Sequence, residues 1–283
     1  MSKDLIKLFK FYLIFLIWIV SGDVVKFIAK IINFDMTRIH NLAIAEFFLS
    51  LVVFIIGFII YKKEIKKDYK AIDKKKIFIE VLRLLVCAYL IEIISGLVVM
   101  FIFSIIGVEP TGSVNNNVAI ELLKSAPVLI GVGTVLLAPA YEEIIMRLGL
   151  NTIFKNKKVF IAVSGIIFGV MHVIDFKVVI LTLPILGILI DRISMSKNNN
   201  KLLLNIACVT TYLFIMFIII TLKTGGINKA LIALNLKNFI YVIEYGSVGV
   251  YFAYVYDKYK NIFYSILPHA LVNFIATIIL SFR

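Results

Sequence analysis

Long apolar runs broken by short polar segments set the pattern of the chain. They lie at roughly 9–33, 41–61, 77–107, 127–149, 159–174, 176–195, 202–222, 237–256 and 262–281. Most approach the ~20 residues a helix needs to cross a bilayer core of ~30 Å. The runs 159–174 and 176–195 lie close together and separate less cleanly. The run 77–107 is long enough to tilt or to project from the bilayer. The pattern predicts an all-α, polytopic transmembrane helical bundle of about 8–9 spans. No internal repeat is visible, and residues 62–76 (KKEIKKDYKAIDKKK) read as a basic surface connector.

Composition agrees with that class: 61% of the 283 residues are hydrophobic and 17% are charged. A soluble domain of this length cannot hide so much apolar surface. The net charge of +13 is no sign of nucleic-acid binding, because Lys and Arg fall in short segments between apolar runs. With nine alternating helices and a cytoplasmic N-terminus, the cytoplasmic side holds 20 of the 30 Lys and Arg and the outer side 9, with Arg83 inside the third span. That asymmetry favours this orientation. It places the polar segments 108–117 and 223–236 outside, in a multi-pass protein of the cell membrane. Met1–Val20 has a basic start, but no Ala-x-Ala-like cleavage site precedes Ser21-Gly22-Asp23, so an uncleaved first helix is expected. No lipidation motif stands at either end.

Three polar clusters interrupt the apolar helices: Glu142-Glu143-x-x-x-Arg147, Phe168-x-x-x-His172 and His269-x-x-x-Asn273. Ionisable groups inside a membrane are costly to keep there, which makes them functional candidates by default. Glu143 and Arg147 share a helix face in the favourable acid-first order. Glu142, about 100° around the helix, points elsewhere. A carboxylate taken out of water and left unpaired by arginine can serve as a general base near neutral pH. Each cluster also has a structural reading: a salt bridge holding helices together, a satisfied core histidine, or interhelical hydrogen bonding helped by a kink at Pro268. Depth argues for one site. Counted from the basic loops at ~1.5 Å per residue, Glu142, His172 and His269 lie roughly 21, 21 and 14 Å from the cytoplasmic face.

Together these groups suit amide hydrolysis by water. Glu142 would take a proton from the water and His172 would hold it. His269 and Asn273 would donate to the developing oxyanion. No Gly-x-Ser-x-Gly and no His-Glu-x-x-His competes, and neither Cys87 nor Cys208 has a partner His in its own segment, so both read as core or lipid-facing residues. Glu92 and Glu244 also lie in apolar runs; they are candidates to line the site or to pair with Arg83 or Arg147, with a structural role favoured. His40 reads as solvated. The aromatic runs near Phe9–Trp18 and Tyr251–Tyr259 read as interface anchors.

The ordered set EExxxR, FxxxH, HxxxN in successive membrane helices resembles the CPBP intramembrane proteases, a family that includes the type II CAAX prenyl endopeptidases and bacterial proteins of bacteriocin processing and self-immunity. The resemblance covers about 125–280, including the Gly-rich stretch Gly246–Tyr251 and the turn at Lys260-Asn261-Ile262. It implies that Glu142 is the water-activating base, assisted by His172. It implies that His269 and Asn273 form the oxyanion site, and that Glu143, Arg147 and Phe168 support it. No metal and no other cofactor is implied. The implied partners are the lipid bilayer and a peptide or protein substrate, either prenylated or membrane-associated, such as a leader peptide. The resemblance divides the chain into N-terminal helices (1–124) and a catalytic core (125–283). His172 and His269 are 97 residues apart, longer than the family pattern, and the extra material at about 176–236 holds two apolar spans. Two other readings stay open: a non-proteolytic regulator or self-immunity protein of the same fold, and a transporter with Glu92, Glu142, Glu143 and Glu244 spread along a proton path.

Overall fold

A computed structural model describes residues 2–110, 114–173, 176–234 and 236–282. Met1, 111–113 in the polar segment 108–117, 174–175 at the junction between two runs, Asn235 and Arg283 lie outside the described residues. The described residues are helical throughout, with no strand. The helices are α1 (Lys3–Ile31), α2 (Ile39–Ile60), α3 (Lys62–Lys70), α4 (Ile77–Ile105), α5 (Val114–Ser125), α6 (Pro127–Ile153), α7 (Lys157–Met171), α8 (Lys177–Met195), α9 (Lys201–Thr224), α10 (Ile227–Leu234), α11 (Leu236–Ile240), α12 (Val242–Tyr259) and α13 (Phe263–Ser281).

Local signals set the ends. Ser2 accepts from the Leu5 N–H at the start of α1, and the Asn156 carboxamide accepts from the Lys158 and Val159 N–H groups at the start of α7. Gly225 closes α9 at φ 79°, a left-handed turn that suits glycine.

Seven helices, α1, α2, α4, α6, α8, α9 and α13, are long and apolar enough to cross a membrane. The expected crossings at 159–174 and 237–256 fall outside that measure. α7 has only 15 residues, and α12 carries Glu244, Asp257 and Lys258. These two pack tightly on each other in the centre of the bundle, and a helix sheltered by its neighbours need not be long or uniformly apolar. Counting them, nine helices pass back and forth among the described residues.

Contacts fix which ends share a face. Lys157 pairs with Asp257 at 3.4 Å. Asp191 accepts from the backbone N–H groups of Lys155 and Asn156 at 3.1 and 2.7 Å. α3 docks on the α12–α13 turn, where Asp68 accepts from the Ile262 N–H at 2.9 Å and the Asn261 carboxamide donates to the Asp68 carbonyl at 2.7 Å. The start of α1 lies against Phe154, Lys155 and Arg192. The segments 2–10, 62–76, 155–158, 191–201 and 257–260 therefore gather on one face, here the basic face. On the opposite face Lys177 pairs with Asp23, His40 meets the Ser125 carbonyl at 3.1 Å, and Lys223 sits over Phe176.

The α7–α12 contact depends on glycine. A Cβ on Gly169 would lie 2.8 Å from the Val242 carbonyl oxygen and 2.9 Å from the Gly246 nitrogen, both backbone atoms that cannot turn aside. Small residues at such crossings let membrane helices approach closely. The substitution Gly169→Ala is expected to cost about 1–3 kcal/mol through overpacking. Gly96→Ala, in mid-helix where a Cβ meets nothing within 4 Å, should instead stabilise by about 0.5–1 kcal/mol. Thermal unfolding in detergent checks both.

Asp68, on α3 outside the spans, is buried, and burial pushes its carboxyl above the usual range although the Ile262 N–H opposes this. The folded state then holds the proton more tightly than the unfolded chain. This contribution is greatest below the ordinary carboxylate value of ~3.9 and is lost as pH rises through the raised folded value. Asp68→Asn should stabilise the fold near pH 7, with the gain closing as pH falls toward ~4. Denaturation midpoints across pH test this.

Candidate active site

α6 supplies the two glutamates, and its backbone is irregular on both sides of them. Gly133–Leu137 and Ile144–Gly149 are π-helical, flanking the α-helical Ala138–Glu143. π-turns inside α-helices recur at functional sites. Pro139 explains one local consequence. The Gly133 carbonyl still accepts from the Ala138 N–H, but Pro139 has no N–H to offer the Thr134 carbonyl in a π-turn or the Val135 carbonyl in an α-turn. The Asn273 carboxamide fills that gap, donating to the Thr134 carbonyl at 2.9 Å. A proline on α6 thus orients an asparagine on α13.

Behind the cavity lies a fully buried ion pair. Arg147 Nε stands 2.9 Å from Glu143 Oε2, and Nη2 donates to Oε1 at 3.2 Å. The same guanidinium donates to Ser164 Oγ on α7 and to the Gly249 carbonyl on α12. Glu143 Oε1 also meets His269 Nδ1 on α13 at 3.1 Å. Four helices are tied through one charge pair.

Glu142 takes the other direction. It is 7% exposed and lies on the cavity wall. His269 stands between the two acids, with Nδ1 toward Glu143 and Nε2 3.8 Å from Glu142 Oε2. Phe252 stacks on the His269 ring at 5.0 Å, and Phe168 meets it edge-on at 5.8 Å. His172 caps the end of α7 one residue after the helix stops. Its Nδ1 lies 2.7 Å from the Phe168 carbonyl. A carbonyl only accepts, so Nδ1 carries the proton and Nε2 is left to accept in the neutral ring. The ring stacks on Tyr245 at 4.9 Å.

Glu142, Phe168, His172, His269 and Asn273 line one cavity of about 270 Å³. Glu143 and Arg147 do not reach it. Glu92 and Glu244, read from sequence as structural, line this same cavity, and Glu92 Oε2 is buried with no hydrogen-bond partner. Arg83 pairs with Glu80 instead. The cavity extends from the glutamate–histidine pair toward the face opposite the basic one, past Ala276, Thr277 and Leu280 on α13 and Ala119 on α5. Sequence reasoning missed Ser164, Phe252, Thr134 and Tyr245. The first two sit on the predicted helices without a charge to mark them, and the Thr134 carbonyl is a backbone group with only Pro139 as a signal.

The family model described as type II CAAX prenyl endopeptidase Rce1-like matches residues 124–275. The chain belongs to this family. The three motif segments fall within the match, while α1–α4, most of α5 and the end of α13 lie outside it, and with them the cavity-lining Glu92, Ala119, Ala276, Thr277 and Leu280. No curated protein and no solved structure matched the chain. Membership points to an intramembrane protease acting on a peptide or protein substrate in the membrane.

Breaking the buried pair should be costly, because the partner left behind is an uncompensated charge. Arg147→Ala is expected to lose about 3–5 kcal/mol. Arg147→Lys should recover little, since one ammonium cannot serve Glu143, Ser164 and Gly249 together. Glu142→Gln should leave stability near that of the unsubstituted protein. Unfolding in detergent by added denaturant measures all three.

Proposed function

We propose that the protein is an intramembrane endopeptidase that hydrolyses a peptide bond with a glutamate-activated water. The observation that carries this reading is the convergence of Glu142, His172, His269 and Asn273, from three separate helix regions, on one cavity within a chain of the Rce1-like family. A proton path would string acids along a route across the membrane. Here Glu142, Glu92 and Glu244 share one pocket, and Glu143 is sealed against Arg147.

In the proposed mechanism the water sits between Glu142 and the free Nε2 of His172. Glu142 takes its proton as the oxygen attacks the carbonyl carbon. The new oxyanion is met by the second Nδ2 hydrogen of Asn273 and by the Nε2–H of His269 in its doubly protonated form, whose Nδ1–H goes to Glu143. Asn273 is pre-oriented by Thr134, and His269 by Glu143, so neither has to reorganise as charge develops. Glu142 then returns the proton to the leaving amine, and the C–N bond breaks. Glu143, Arg147 and Phe168 hold this arrangement without touching the reacting atoms. We infer further that 125–283 is the catalytic core, with α8 and α9 as an added pair, and that the protein works in the cell membrane on a membrane-associated substrate.

The test is cleavage by the purified protein in liposomes, against farnesylated CAAX peptides and membrane-associated leader peptides. Glu142→Gln should lower the rate by about 10²–10⁴-fold while the protein stays folded, and EDTA should leave the rate unchanged. Turnover by Glu142→Gln at the unsubstituted rate would sink the mechanism. A full cellular phenotype from Glu142→Gln, with no cleavage by either form, would favour the non-proteolytic regulator.

A further inference from the structure

Another cavity lies apart from the catalytic one, on the basic face. It holds about 360 Å³ between the first turns of α1, the end of α6 with the loop that follows, and the last turns of α8. That volume is within the ~300–1,000 Å³ of small-ligand sites. The two cavities share no lining residue. Helix spacing builds the walls. Asp4, Leu5 and Leu8 fall on one side of α1, and Ile188 and Arg192 stand one turn apart on α8.

The charge of this cavity is unbalanced. Lys7, Lys155 and Arg192 line it, against the single acid Asp4. Asp4 comes no nearer to Lys7 than 3.9 Å. Asp191 precedes Arg192, but it is fully buried and accepts from the backbone N–H groups of Lys155 at 3.1 Å and Asn156 at 2.7 Å. The Arg192 guanidinium stands 3.9 Å from it. The Asp191 carboxylate thus fixes the loop after α6 and leaves the cations beside it short of a close partner. The Lys155 ammonium pairs with no acid among the described residues.

Much of the remaining lining is apolar, from Leu5, Leu8, Ile153, Phe154 and Ile188. Leu5 is half exposed, and Phe9, one turn further along the same side of α1, is exposed as well. α1 runs from the basic face into the bundle. The cations therefore stand where the helices leave the membrane, and apolar surface continues below them. Basic pockets between membrane helices take anionic lipid headgroups, and an anion with an acyl tail would meet both parts of this one.

We propose that this cavity binds a phosphate group, carried by the headgroup of an anionic phospholipid or by a soluble phosphate. Arg192 offers a planar fork to two phosphate oxygens, and Lys7 and Lys155 add point charges from the other two walls. The apolar continuation along Leu5 and Phe9 favours the lipid as the source. The site does not rest on the protease reading, yet it bears on the catalytic helix. A ligand there ties α1 and α8 to the end of α6, at Ile153, 11 residues and ~16 Å along the helix from Glu142.

The test uses the full chain, purified in a neutral detergent and stripped of lipid. Dioleoylphosphatidylglycerol, dioleoylphosphatidylcholine or inorganic phosphate is then added. Native mass spectrometry counts the bound molecules, and the shift in unfolding midpoint gives the affinity. Phosphatidylglycerol should bind tightly and raise the midpoint. Phosphatidylcholine, whose phosphate is neutralised by its own choline, should not. Lys7→Gln, Lys155→Gln and Arg192→Gln together should weaken phosphatidylglycerol binding about 100-fold. Lys74→Gln, Lys75→Gln and Lys76→Gln together remove the same charge from the connector and should leave the affinity nearly unchanged. Equal weakening by the two triple variants, or none by either, would assign binding to the charge of the whole face and overturn the proposal. So would equal binding of the two lipids. A midpoint raised by inorganic phosphate alone, and only while Lys7, Lys155 and Arg192 are present, would uphold the site and name the soluble ion as its ligand. Should the cavity triple variant unfold without lipid at a lower midpoint, Lys155→Glu alone decides, because that exposed side chain holds no other group: about tenfold weaker binding is expected, and unchanged binding would overturn the proposal.

Discussion

One guanidinium organises the centre of the molecule. Arg147 is fully buried and touches its own helix through Glu143, α7 through Ser164 and α12 through Gly249. Glu143 passes the connection to α13 through His269. A charge in such a place is stabilised only if its partners hold station. The requirement works in both directions: the helices keep the pair dry, and the pair keeps the helices in register. The neighbouring Glu142 benefits without taking part. Its own arginine is already engaged next door, so its carboxylate faces the cavity.

The aromatic and backbone surroundings extend the same logic to the other site groups. His269 is clamped between Phe252 and the acids. His172 is fixed by a carbonyl and a stacked tyrosine. Asn273 is fixed by the carbonyl that Pro139 leaves open. His269, His172 and Asn273 are each held by a neighbouring group, and a preorganised set of donors needs little rearrangement as charge develops.

Much of this was legible in the sequence, for physical reasons. Apolar runs of bilayer length have few soluble alternatives, so the helices announce themselves. Glu143 and Arg147 are four apart, so their pairing follows from helix geometry, and so does the different aim of Glu142. What the sequence left out depends on contacts between helices. Glu92 and Glu244 carry no neighbour in sequence to show that they meet in the catalytic cavity. Ser164 is an ordinary serine until Arg147 reaches it. α7 and α12 were read as ordinary spans, whereas their mutual burial lets one be short and the other carry charge.

The two π-helical stretches of α6 have a consequence for how this segment tolerates change. Each accommodates one residue more than an α-helical turn would, on either side of Ala138–Glu143. Four residues in α-winding turn through about 400°, close to what five π-helical residues cover, so loss of one residue from either stretch would be absorbed by a return to ordinary winding, with the flanking segments keeping their direction. Loss of a residue inside Ala138–Glu143 has no such slack and would turn one side of the helix by about 100° relative to the other. The two stretches are therefore places where α6 can change length without re-aiming its acids, while the six residues between them cannot.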